Sequence, residues 1–223
     1  ILANPNLASA GLFLIQEQEH YPEEGSTRTS QLATRLGTGW TYVPGRVKHD
    51  GTHGLAILSR HPIENVAVMA LPLTEGAQQR IAIEADVVIG DTRLHVVNVH
   101  LETRINSRDR ILQLRPAVID QPPVVLVAGD VNTNPYLWEE GRVPLVPTAQ
   151  IVDTDQAPLL DDYMAELGFD TPAADVGPTE EMLGIASRLD AIYTRGLEVS
   201  AATVERSVVG SDHWPVWVDL TLP

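Results

Sequence analysis

The stretch Val124–Pro135, VVLVAGDVNTNP, decides how the rest of the chain is read. Its apolar, mostly β-branched run lies between Pro122-Pro123 and Asn134-Pro135. That pattern predicts a short strand buried on both faces. Gly129 lets the backbone turn or approach another segment closely at the strand's end. Asp130 and Asn132 are two apart, so an extended chain would point both to one side. A carboxylate and a carboxamide leaving a rigid strand together can serve as a catalytic pair. The same two residue types also favour an Asx turn.

Outward from this stretch, further apolar runs end in reactive groups. Leu12 to Ile15 reads as a buried strand ending in Gln16-Glu17. Leu94 to Leu101 carries His100 and follows the alternating run Ile81 to Ile89 across a Gly90-Asp91 hairpin turn. Leu189 to Tyr193 begins beside Asp190. Val199 to Val208 and Val216 to Leu220 are further strands around the polar turn Ser211-Asp212-His213-Trp214-Pro215. His53 to Arg60 and Tyr42-Val43 also read as strands, with Arg46 to His53 as a polar loop. Helices are expected over residues 28–36, stopped by Gly37, over 107–119, and over about 159–167. In the second of these, Ile111, Leu112 and Leu114 face inward and Arg104, Arg108 and Arg115 fall near one face; Arg104, Arg108 and Arg110 read either as a solvated helix face or as contacts to the anionic part of a substrate. Many strands, hairpins and few helices predict an α+β fold of two packed, mostly antiparallel sheets with helices outside. No linker divides the chain, so residues 1–223 read as one domain.

Composition narrows the chemistry. The 223 residues carry 15 basic and 30 acidic side chains, a formal charge of −15. That field opposes non-specific attraction to nucleic acid and anionic membranes. From 143 to 187 there are nine acids and no Lys or Arg, and a nuclease's basic groove would need the reverse. Without cysteine, disulfides, thiolate metal sites and Cys nucleophiles are excluded. Cysteine-free chains suit either side of a membrane, and no run is long enough to span one. A monomer is expected.

Glu17, Asp130, Asp190 and Asp212 at strand ends would repel one another on a common rim unless a cation joined them. Oxygen ligands suit Mg²⁺, with Mn²⁺ or Ca²⁺ as substitutes, whereas zinc prefers more His or Cys. A divalent ion beside His100 and His213 is a device for attacking an anionic ester.

Six segments then show a resemblance to the endonuclease/exonuclease/phosphatase superfamily of DNase I-like metal-dependent phosphoesterases. They are LIQE (14–17), HGLAILSRHPI (53–63), NVHL (98–101), GDVN (129–132), SRLDAIY (187–193) and SDHWP (211–215). The resemblance implies a four-layer α/β/β/α sandwich and hydrolysis of a phosphodiester or phosphomonoester by in-line attack of an activated water. It implies Glu17 and Asp212 as metal ligands and Asp130 as the group that positions or deprotonates water. Asn132 would orient Asp130 and contact the phosphate. His213, oriented by Asp190, and His100 would contact the phosphate or move protons. An Asn-bearing first strand is expected by the same resemblance, but ANPNLAS (3–9) reads as the start of a helix or loop, so an N-terminal strand is expected to be missing. A nuclease of the same fold and a non-catalytic binding protein are the competing readings. A calcineurin-like phosphatase is disfavoured, because its D-x-H motif and several His ligands are absent.

Overall fold

The structure, a computed structural model, describes residues 1–74, 77–139, 142, 155–182 and 184–223. A short helix, α1 (Pro5–Ser9), precedes β1 (Leu12–His20), α2 (Arg28–Leu36), β2 (Gly39–Lys48) and β3 (Gly51–Ser59). Next come β4 (Ile63–Ala70), β5 (Ile81–Ile89), β6 (Thr92–His100), α3 (Ser107–Leu114) and β7 (Val125–Asp130). The chain continues through α4 (Gln156–Glu166), β8 (Glu180–Met182), β9 (Ile185–Ser187), β10 (Asp190–Arg195), β11 (Glu198–Val204) and β12 (Val216–Thr221). One sheet has the order β1-β3-β2 and the other β10-β7-β6-β5-β4, with β11-β12 and β8-β9 as separate hairpins. Among the described residues only β6 and β7 pair in parallel; the other strand pairs are antiparallel.

The period-two alternation of strands builds the layers. Leu55 and Ile57 of β3 face Ile83, Ala85 and Val87 of β5, Val96 of β6 and Ala128 of β7, forming the core between sheets. The alternate residues Ala56 and Leu58 pack outward on Ala33 and Leu36 of α2. On the far side, Val97, Val99, Val125 and Val127 pack on Leu114 of α3 and Leu160 and Met164 of α4. The order α2, sheet, sheet, α3 with α4 is the four-layer sandwich that the resemblance implies. Helix α2 starts where the Thr27 hydroxyl accepts a hydrogen bond from Ser30 N at 2.9 Å and ends at Gly37 with φ 69°, the left-handed cap that glycine adopts without strain.

Several sequence expectations change. Residues 46–53 are no loop: β2 and β3 pair across them, from Arg46↔His53 to Lys48↔Gly51. Strand β4 had no alternation to reveal it, since most of its side chains are exposed. The helix at 107 gives way after Leu114 to a 3₁₀ turn, Arg115–Ala117, where Pro116 cannot continue an α-helix. Leu112 is 49% exposed rather than inward. The helix expected near 159 begins at Gln156, and β11 stops at Val204. Of the acidic stretch 143–187, residues 143–154 and 183 lie outside the described residues.

Candidate active site

Three neighbouring strands each carry a polar group at one end, on the face that lines the space between sheets. On β6 the row Leu94, Val96, Asn98 closes with His100, on β7 the row Leu126, Ala128 closes with Asp130, and on antiparallel β10 Asp190 opens the row that continues with Ile192. Register then sets these ends side by side: His100 pairs with Asp130 across β6–β7, and Asp190 with Asp130 across β10–β7. Gly129 permits that register. A Cβ there, at φ 148°, would lie 2.0 Å from the Val99 carbonyl oxygen, so no other residue fits. The extended conformation ends at Asp130. Asn132 is left-handed, with φ 53°, so the expected extended alternation does not bring the pair together. Instead the chain folds back: Asn132 N donates to Asp130 Oδ1 at 2.9 Å and its Nδ2 to Oδ2 at 3.0 Å.

These groups line one cleft of about 380 Å³, together with Glu17, Asp212, His213 and Glu180. His213 Nδ1 and Asp190 Oδ2 are 2.8 Å apart. His100 Nε2 is 3.3 Å from Asp130 Oδ2, and Arg80 Nη1 lies 3.0 Å from the same ring nitrogen. Burial, then the charge of Asp190, pushes the Asp130 carboxyl up to about 8. Burial opposes protonation of His213, but the hydrogen bond and charge of Asp190, with Asp130 and Asp212, outweigh it and raise the imidazole to about 10. Burial and the Arg80 cation hold His100 well below the usual imidazole range. The two histidines therefore carry different charges at neutral pH.

Glu17 does not end β1. The strand continues to His20, and Glu17 lies in a bulge where the pairing jumps from Ile15↔Ala56 to Gln18↔Gly54. Its φ is 55°. Such a bulge re-aims a side chain, here toward the cleft, where the carboxylate stays half exposed. Beneath it, Gln16 Nε2 donates to Asn98 Oδ1 at 2.6 Å, and Asn98 Nδ2 donates to Ile15 O and Ala56 O. This buried amide ties the two sheets together under the site.

Two site neighbours lie outside the expected ligand and catalytic set. Buried His53 places Nε2 3.6 Å from Glu17 Oε2, and its Nδ1 accepts from Arg46 Nε at 3.2 Å. Its place in the HGL segment was the only signal. Glu180 reaches the site because its backbone bridges to His213, a pairing of residues far apart in sequence that composition could not show. Conversely, Arg110 is no substrate contact. It is fully buried and donates to the carbonyls of Glu102, Val131 and Ile105. Arg188 pairs with Asp161.

The donor set suits a hard cation. Among the described residues, ligand atoms of Asp130, Asp190 and His213 lie within 4.8 Å of one another, as do those of Glu180, Asp212 and His213. Glu17 belongs to neither group but lines the same cleft. The excess of carboxylate oxygen over imidazole matches an oxygen-loving divalent ion, and burial raises the Asp130 and Glu180 carboxyls, a penalty on their charged forms that such an ion would offset.

Comparison with known proteins identifies the fold and the family. A 119-residue segment is 31% identical to protein YbhP of Escherichia coli K12, covering 51% of this chain and 46% of YbhP. The match thus spans about half the length of that relative. An endonuclease/exonuclease/phosphatase structure from Beutenbergia cavernae superimposes with a TM-score of 0.72 at 20% identity, covering 97% of this chain and 64% of that one. The catalytic domain of human nocturnin, solved with bound sulfate, gives 0.64 at 18% identity, covering 96% and 81%. These likenesses establish a shared fold. The endonuclease/exonuclease/phosphatase family model matches residues 8–213, a span that takes in every strand end gathered at the cleft, and the chain belongs to that family.

Proposed function

We propose that the chain is a divalent-metal-dependent hydrolase that cleaves a small phosphoester, mono- or diester, by in-line attack of water, and that residues 1–223 act as one domain. The observation that carries this reading is Asp130, a buried carboxyl gripped at both oxygens by Asn132 and flanked by His100 and the Asp190–His213 pair. Glu17 and Asp212 would hold the cation, Mg²⁺ by preference, with Glu180 close to Asp212. When bound, the cation neutralises phosphate oxygens and stabilises the leaving oxygen.

The remaining work falls to the chain. In its ionised form, which prevails above about pH 8 in the cation-free protein, Asp130 orients water and takes its proton, and Asn132 keeps the accepting oxygens in place. His213, kept charged by Asp190, holds a phosphate oxygen. His100, buried beside Arg80, stays neutral and binds the phosphate as a hydrogen-bond partner, which leaves His213 as the imidazole able to supply a proton.

Hydrolysis of bis-p-nitrophenyl phosphate with Mg²⁺, abolished by EDTA, is the expected result. A protein inert towards diesters, monoesters and nucleic acids under the same conditions would instead support a non-catalytic binding role.

A further inference from the structure

Phosphoester chemistry leaves part of the cleft lining unused. Tyr136 and Trp138 belong to it, as do Ile185 and Leu189, and the two rings have centroids 6.2 Å apart and planes at 80°. Both rings are partly exposed, whereas aromatic pairs that only fill a core are covered. The indole is also fixed in place. Trp138 Nε1 donates to Asn134 Oδ1 at 2.9 Å, its backbone N donates to Asn106 Oδ1 at 2.8 Å, and Asn106 Nδ2 returns a bond to Trp138 O at 2.8 Å.

Asn134 joins this wall to the reacting centre. Its Nδ2 donates to the Asn132 carbonyl at 3.0 Å, so one side chain separates the indole from the residue that grips Asp130. The cleft lining combines Pro135, Tyr136, Trp138, Ile185 and Leu189, none of them charged, with the carboxylates and imidazoles described above. A substrate matching both sets has an anionic ester and an uncharged, flat, apolar part. The cleft's volume of about 380 Å³ is in the range of small-molecule sites.

We propose that Tyr136 and Trp138 form a stacking subsite for a planar ring carried by the phosphoester, either a nucleobase or an aryl group. The proposal rests on the phosphoesterase reading and names its substrate class.

Calorimetric titration of the Mg²⁺-loaded protein with phenyl-, cyclohexyl- and methylphosphonate tests it without turnover. Phenylphosphonate is expected to bind about tenfold more tightly than methylphosphonate, a difference of about 1.4 kcal/mol, with the cyclohexyl compound near the methyl one. Trp138→Leu and Tyr136→Leu should each bring the phenyl-to-methyl ratio toward one. If either variant fails to fold, the wild-type series still decides. Equal affinities for phenyl and methyl, or cyclohexyl binding as tightly as phenyl, would overturn the subsite. A nucleoside phosphonate separates the sources of the ring: tighter binding than phenylphosphonate assigns a nucleobase, weaker binding an aryl ester. Hydrolysis of bis-p-nitrophenyl phosphate, measured separately, shows whether the hydrolase reading stands when the subsite fails.

Discussion

Asp130 shows the cost of a reactive group most directly. Its folded-state pKa is raised from 3.8 to about 8, so its contribution to stability is present below about 4 and is lost as pH rises toward 8. Above that, the cation-free protein must bury an anion. Asp130→Asn should therefore raise the melting temperature of EDTA-treated protein at pH 9 more than at pH 5, by about 2–4 °C per kcal/mol recovered. The same substitution should cut turnover about 10²–10⁴-fold by removing the proton acceptor. A variant that keeps wild-type turnover would remove Asp130 from the mechanism. Glu17 and His53 separate in another way. Glu17→Gln removes a ligand charge and should weaken Mg²⁺ strongly in a titration of activity. His53→Ala, which loosens only the orientation of Glu17, should weaken it about 10–100-fold. Equal Mg²⁺ dependence in His53→Ala and wild type would show that the 3.6 Å contact has no part in holding the ion.

At the scale of elements, the site depends on strand register more than on any loop. The three strand ends meet because β7 pairs with β6 on one side and β10 on the other. Gly129 is the narrow point of that register. Gly129→Ala should cost at least about 3 kcal/mol, because its Cβ overlaps backbone rather than a movable side chain. For a chain of this size that is roughly 6–12 °C in melting temperature, measurable by circular dichroism. Arg110 has a comparable structural role behind the site, where it satisfies three carbonyls with no exposure of its own. An exposed face for Arg110 follows from helical spacing alone. What reverses it is the chain after β7, which brings Val131 O within reach. The bulge at Glu17 and the bridge from Glu180 to His213 likewise arise from pairing between distant segments, which local periodicity does not encode.

Across the whole molecule, the formal charge is −15, so on the proposed reading a cation held in the cleft would have to make the field locally favourable for an anionic ester. Small phosphoesters should be cleaved with higher kcat/KM than plasmid DNA, and added salt should not produce the steep loss of affinity that marks a phosphate-backbone binder. A strong preference for DNA with a steep salt slope would reverse this assignment. The layers were legible in the sequence because buried strands alternate with period two, and because β-branched runs bounded by Pro, Gly and Asn have few other conformations. The reactive residue types at strand ends were legible for the same reason. Asp130, Asn132, His100 and His213 stand out as polar groups that interrupt apolar patterns. Their convergence on one cleft was decided by tertiary structure alone, since it depends on which strands pair and in what register. So were the pairing of His53 with Glu17, the arrival of Glu180 and the aromatic wall of Tyr136 and Trp138. The first two join segments far apart in the chain, and the third is held at the cleft by hydrogen bonds between Asn106 and the Trp138 backbone, so none carries a local signal.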